Sequence, residues 1–248
     1  MKIRKLNWAG LHLQCGDISV LIDAVENFKP YLPVLGKPLT PLVQFTGTTK
    51  ADYILFTHLH LDHLDTGVIE NCLNPTGKII GYKKLEKEIA ALNRPYILLD
   101  TDQTFEENNL QFKAVFSLDG VGEEQTAWIV SDGETKIFHG GDTIWHNQFW
   151  KLGKQNPGIS YAFLPVNGAV VNFSLVGLQY STVPASLMPE QAFNAAKLLH
   201  AQTLVPIHYG KFATDLYSPT DTGNAVFEKY AALINQPFQL LNDGEYLN

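Results

Sequence analysis

Arginine is almost missing from this chain: Arg4 and Arg94 are the only two among 248 residues. With 18 Lys plus Arg against 25 Asp plus Glu, the formal net charge is −7. Nucleic-acid backbones are bound by basic surfaces that neutralise phosphates, so this balance argues against nucleic acid as a partner and points to a small-molecule substrate. Cysteine is equally scarce. Cys15 and Cys72 cannot build a disulfide framework, and they lack the C-x-x-C spacing of a metal knuckle or redox pair; buried thiols in a reducing compartment are expected. Long apolar runs are absent too. Nothing approaches the ~18 residues of a membrane span, and Asn7, Gly10, His12 and Gln14 interrupt the basic start before a signal-peptide core can form. The expectation is a cytoplasmic protein with no membrane span, its homo-oligomeric state left open. There is no G-x-S-x-G elbow, no Walker loop and no Rossmann G-x-G-x-x-G after a first strand, which sets aside serine-nucleophile and nucleotide-binding chemistry.

What is present is enough apolar material, 45% of residues, for a sizeable core. Strand-like runs at 11–15 and 18–22 flank the turn Gly16-Asp17 and read as a hairpin. Residues 27–50 hold four of the 13 prolines and form a loop or lid. Further strands are predicted at 53–56, 79–80, 96–99, 112–116, 127–130, 136–138, 161–164 and 203–207. Helices are predicted at 67–72, 83–92, 189–200 and 224–234, with Pro189 at a first turn where its missing N–H costs nothing. Strand groups followed by helices, twice over, predict an α/β (α+β) chain with two sheets face to face and helices outside. No linker divides residues 1–248, which are read as one domain.

The strongest chemical signal is His58-Leu59-His60-Leu61-Asp62-His63, placed directly after a strand. With 8 His and 13 Asp in 248 residues, the H-x-H-x-D-H pattern arises by accident in roughly 4 of 10,000 chains of this composition. If the extended chain continues briefly past Phe56, His58 and His60 point the same way and grip one cation; Asp62 and His63 begin the next turn and face a second. Imidazole plus carboxylate suits zinc, iron or manganese. Phe138-His139-Gly140-Gly141-Asp142 adds a carboxylate after a strand, with glycines permitting close backbone approach. Pro206-Ile207-His208 adds an imidazole at another strand end.

This ordered set resembles the metallo-β-lactamase superfamily, in a branch similar to L-ascorbate 6-phosphate lactonase and N-acyl phosphatidylethanolamine phospholipase D. Ser19-Val20-Leu21-Ile22-Asp23, Gly141-Asp142-Thr143-Ile144-Trp145 and Met188-Pro189-Glu190-Gln191-Ala192 extend the resemblance over nearly the whole chain. It implies a four-layer αββα sandwich with the metal site at the strand ends between the sheets. It further implies two divalent metal ions, zinc first with manganese and iron as alternatives. His58 and His60 would ligate one, Asp62, His63 and His208 the other, and Asp142 would bridge them. One position departs from the pattern: Asp119 stands where the resemblance implies a histidine, and it reads either as a ligand or as a turn residue of Asp119-Gly120-Val121-Gly122.

Among the remaining candidates, Asp23 is expected to hold the histidine loop by hydrogen bonds without being a ligand, and Asp65 to be an exposed helix-start acid. His139 either orients Asp142 or is a satisfied strand histidine. His146 and Lys211 are candidate substrate contacts, and His12 and His200 are read as structural. The loops at 27–50 and 167–187, with Phe28, Tyr31, Phe173 and Tyr180, are expected to cover a partly apolar pocket. The implied chemistry is metal-dependent hydrolysis of a lactone, ester or phosphodiester, with Asp142 holding the metal pair and Asp62 orienting the attacking water or taking its proton. The alternatives are a mononuclear iron thiol or persulfide dioxygenase, and a non-catalytic ligand-binding relative.

Overall fold

The computed structural model describes residues 1–177 and 179–247; Leu178, within the predicted second covering loop, lies outside the described residues. One six-stranded sheet runs in chain order: β1 (Lys2–Lys5), β2 (Leu11–Cys15), β3 (Ile18–Ile22), β4 (Ala51–Leu55), β5 (Leu73–Tyr82) and β6 (Tyr96–Leu99). The first three strands are antiparallel, and β3 to β6 are parallel. The second sheet contains β7 (Thr104–Glu107), β8 (Leu110–Phe116), β9 (Thr126–Ser131), β10 (Lys136–His139) and β11 (Tyr161–Pro165). A short ribbon strand, β12 (Val170–Val171), precedes β13 (Thr203–Ile207), and β14 (Tyr217–Ser218) pairs with β12. The second sheet has the order β13-β11-β10-β9-β8-β7, again antiparallel first and parallel from β10 through β11 to β13. The helices are α1 (Leu32–Leu35), α2 (Thr66–Cys72), α3 (Glu86–Ala91), α4 (Phe149–Gln155), α5 (Pro189–Leu198) and α6 (Asn224–Ile234).

Side chains alternate across a strand, and here both faces are apolar, so each sheet must be covered twice. Val20, Ile22, Tyr53 and Leu55 of the first sheet meet Phe112, Trp128, Val130, Phe163 and Val205 of the second in the central core. Their alternates Leu21, Ile54 and Ile79 pack under Val68 and Ile69 of α2 and Ile89 of α3. Ile129, Phe138, Ala162 and Leu204 pack under Leu152 of α4, Phe193 of α5 and Phe227 of α6. Three apolar layers between four layers of secondary structure make the expected αββα sandwich.

The predicted strands are present, several extended by one or two residues and β5 by far more. The predicted helix at 83–92 divides into a 3₁₀ turn (Lys83–Leu85) followed by α3. The unpredicted β1 buries Ile3 and Lys5 in alternation under a highly charged sequence. The unpredicted α4 is concealed by Gly153, whose Cβ would stand 2.1 Å from the carbonyl oxygen of Leu198. Glycine there lets α4 approach the end of α5, at the cost of the helical signal.

Two contacts carry the root of the histidine loop across the sandwich. Trp128 donates its indole N–H to the Phe56 carbonyl at 2.9 Å, and the Thr126 amide donates to the Thr57 carbonyl at 3.0 Å. The segment after β3 is tied down by carboxylates at both ends. Asp65 caps α2 through the Gly67 amide at 2.9 Å and also accepts from the amides of Glu26 and Asn27 at 3.0 and 2.8 Å. It is therefore the predicted helix-start acid, but buried. Glu26 in turn accepts from the Phe45 and Thr46 amides and the Thr46 hydroxyl at 2.5, 2.8 and 2.8 Å.

Burial alone would raise the Glu26 carboxyl, but the Phe45 and Thr46 donors outweigh it and lower it below its ordinary value of 4.5. A carboxylate lowered on folding adds stability above its unfolded value and loses it as pH falls through the folded one. The amides of Phe45 and Thr46 are therefore expected to lose hydrogen-exchange protection when pH drops below about 4.5, and Glu26→Gln to flatten that dependence.

Candidate metal centre

Every residue of the centre stands just past the C-terminal end of a strand. Asp23 follows β3, His58 to His63 follow β4, Asp142 follows β10 and His208 follows β13. In sheets with parallel strands this is where ligands gather. Asp23 and His208 take positive φ, 45° and 58°, because the chain must turn sharply there. Gly141, at φ 60°, needs to be glycine: a Cβ would fall 2.7 Å from Thr57 Oγ1.

Asp23 lies fully buried beneath the histidine loop. One carboxylate oxygen accepts from the Thr57 amide at 2.8 Å; the other meets the Thr57 hydroxyl at 2.6 Å and His63 Nδ1 at 2.8 Å. This leaves His63 Nε2 facing the site, the arrangement by which a carboxylate orients a metal-binding imidazole. Thr57 Oγ1 lies 3.1 Å from His58 Nδ1 and frees His58 Nε2, which is 2.9 Å from His60 Nδ1. Trp8, at φ 60°, was not singled out by its sequence context. It donates its indole N–H to Asp62 Oδ2 at 3.1 Å and packs on His208 with ring centroids 4.0 Å apart. Gln125 accepts from the Asp142 amide at 3.0 Å.

Two donor sets result. Asp62, His63, Asp142 and His208 place ligand atoms within 4.8 Å of one another, as do His58, His60 and Asp142, so Asp142 is common to both. The geometry fits cations. His63 Nε2 and His208 Nε2 each stand 3.0 Å from Asp142 Oδ1. Yet His63 Nε2 and Asp142 Oδ1 are buried without a hydrogen bond. Buried polar atoms are rarely left so. Electrostatics favour the same outcome. Burial resists charge on Asp142, but His208 and His63 hold its carboxyl well below the usual range. Asp62 is likewise held at about 2 by His63 and His208 despite burial. His58, pushed down to about 3 by burial and by His63, is a neutral imidazole ready to donate a lone pair.

The other candidates take different places. Asp119 is buried beside the site, with Oδ2 accepting from the Val121 and Glu123 amides at 2.7 and 3.0 Å. Its turn role is thus formed, and it lies outside both donor sets. It still lines the pocket with His60, Asp62 and Asp142. Lys211 is not among the pocket's lining residues. It is buried, 2.5 Å from Asp243 and 3.1 Å from the Pro41 carbonyl, where it ties the chain after His208 to the 38–43 segment. His146 is buried between Phe149, stacked at 3.9 Å, and Phe116, edge-on at 5.0 Å, and is not among the pocket's lining residues. His139 bonds the Ala9 carbonyl at 2.8 Å and accepts the Gly141 amide at 3.3 Å, the satisfied strand histidine of the two readings. Phe28 is core, and Tyr180 is exposed. Tyr31 and Phe173 do line the pocket, a cleft partly open to solvent.

The same fold is found among known proteins. A UPF0173 metal-dependent hydrolase from Symbiobacterium thermophilum is 26% identical over 218 residues, covering 86% of this chain and 85% of that one. In fold, the chain matches a metallo hydrolase from Ignicoccus hospitalis with a TM-score of 0.73 at 18% identity, covering 99% and 97% of the two chains. It also matches an isothiocyanate hydrolase from Delia radicum gut bacteria with a TM-score of 0.78 at 18% identity, covering 100% and 99%. The family model described as beta-lactamase superfamily domain matches residues 19–209, and with that span this chain belongs to the beta-lactamase superfamily.

Proposed function

We propose that this protein is a metal-dependent hydrolase with a dinuclear centre that cleaves a small-molecule lactone, ester or phosphodiester. The observation that carries the reading is the pair of donor sets meeting at Asp142. The hydrolase names of the Symbiobacterium relative and the two matched structures support it, and two donor sets favour it over a mononuclear oxygenase. His58 and His60 would hold one cation, Asp62, His63 and His208 the other, and Asp142 both. Bound divalent cations supply an activated water and polarise the oxygen of the group under attack.

The chain's own residues set the conditions for that chemistry. Asp23 keeps the His63 ring oriented through Nδ1, so its Nε2 lone pair is available without a search over rotamers. Trp8 fixes one Asp62 oxygen and leaves the other to orient water or accept its proton. Helix α1, through Val34 and Leu35, and the ribbon strand β12, through Val171, line the pocket with apolar groups, which lower the local dielectric and strengthen the electrostatics.

Removal of two imidazoles from a loop beyond the strand costs the core little. His58→Ala with His60→Ala is therefore expected to lower bound zinc or manganese, measured by mass spectrometry, from two per chain to one or none, with the circular-dichroism spectrum retained. Asp142→Asn keeps the shape and removes the shared charge. It should lower hydrolysis of any accepted substrate by roughly 100-fold or more, the scale on which a lost transition-state contact acts. Near-normal turnover would contradict a shared carboxylate.

A further inference from the structure

The pocket beside the donor sets has an uneven inventory of charge. Its described lining includes three carboxylates, Asp62, Asp119 and Asp142, and no lysine or arginine. Lys211, the basic residue nearest His208 in sequence, is spent on Asp243. With Asp23 buried just beneath, four carboxylates would balance the four positive charges of two divalent cations. No surplus of positive charge remains for an anionic substrate, and a phosphate group there would be desolvated without a cationic side chain to pair with it.

The polar groups on the opposite wall are neutral. Asn167 lies two residues past the end of β11, at the same end of the sheet at which Asp142 and His208 follow their strands. It is fully buried, accepts the Ser186 hydroxyl at 2.5 Å through Oδ1, and donates through Nδ2 to the Tyr217 hydroxyl. With its oxygen accepting from Asn167, the phenol keeps its own proton to give, and Tyr217 lines the pocket together with Ser186 and Tyr31. Burial, reinforced by Asp62 and Asp142, keeps both phenols protonated.

Resting on the hydrolase reading above, we propose that the site takes an uncharged acyl compound, an ester or lactone with apolar flanks, and excludes phosphate esters. Tyr217 acts as an O–H donor to the substrate's oxygen and is positioned by Asn167 and Ser186. In the reaction, water's oxygen bonds to the acyl carbon as the acyl C–O bond to the alkoxide breaks. One water proton ends on the departing alkoxide, and the other is released as the acid product ionises. No oxidant or reductant is needed.

The test uses the full chain loaded with zinc or manganese. Ligand-observed NMR compares δ-valerolactone with dimethyl phosphate, which are of similar size and opposite in the property at issue. The lactone is expected to contact the protein and the phosphate not; phosphate binding as tight as or tighter than lactone binding would overturn the substrate class. In kinetics, p-nitrophenyl butyrate should be cleaved faster than bis(p-nitrophenyl) phosphate, and the reverse order would also overturn it. If the lactone binds and neither ester is cleaved, the hydrolase reading fails while the substrate class stands. Tyr217→Phe should lower kcat for the butyrate roughly 10–100-fold, the scale of one hydrogen bond to a charge-bearing oxygen, with KM little changed. Ser186→Ala should lower kcat in the same direction by a smaller factor, and Ser186→Thr should restore it. Unchanged kcat in both Tyr217→Phe and Ser186→Ala removes the donor role.

Discussion

The buried carboxylate of Asp23 is the contact on which the centre depends. It has no exposure, sits in a left-handed backbone conformation, and binds the amide and hydroxyl of Thr57 and the ring of His63. An unpaired carboxylate so deep would be very costly, so the histidine loop cannot leave without stranding it. In the other direction, the loop closes its own turn only at its far end, where the His63 and Leu64 amides donate to the His60 carbonyl at 2.9 and 2.8 Å, and its root is held by this anchor and by the Trp128 and Thr126 contacts made by the opposite sheet. Loop and sandwich are therefore mutually required. The ligand atoms are preorganised because their supports are fixed by the same packing that holds the two sheets together.

Much of this was readable in advance because strand ends announce themselves. A β-branched or aromatic run that stops at a histidine or aspartate places that side chain at the sheet's edge, and 57–63, 138–142 and 206–208 each have that form. The sheet faces were legible for a related reason. Strands buried on both sides read as short continuous apolar runs, as in Ile18 to Ile22 and Thr203 to Ile207. The elements that escaped are those whose local signal is overridden by tertiary contact. Gly153 weakens the helical pattern of α4 to permit approach to Leu198. The lysines and arginine of β1 look like a solvated terminus, although Lys5 is buried and paired with Asp243, 238 residues away.

The same limit applies to side chains near the site whose partners are distant in sequence. Spacing along the chain puts Lys211 three residues from His208 and suggests a substrate contact, but a chain position carries no record of Asp243 and the Pro41 carbonyl, which take up its ammonium. For Asp119 the sequence offers two readings, ligand or turn residue; one of its oxygens makes the turn, and the residue stands on the pocket wall outside both donor sets. Trp8 and Tyr217 carry no local motif at all. Asn167 does carry a signal, since it closely follows a strand as His208 does, but an amide is not a metal ligand of the imidazole and carboxylate kind.

The two sheets repeat one topology, and the repeat clarifies how the centre divides its labour. β3 and β10 each lie between an antiparallel neighbour and a parallel one, and each is followed by a buried aspartate, Asp23 or Asp142. Equivalent positions have different surroundings. Asp23 is roofed by the loop after β4 and spends its oxygens on Thr57 and His63. The chain after β10 has Gly140 and Gly141 before its aspartate, which lets Asp142 pass Thr57 and reach the open side, where it is 9% exposed and faces both donor sets. A two-residue difference in where the carboxylate falls after the strand thus separates an orienting group from a shared ligand. That offset also places the cavity asymmetrically, against the parallel half of the second sheet, where Asn167 and His208 end their strands.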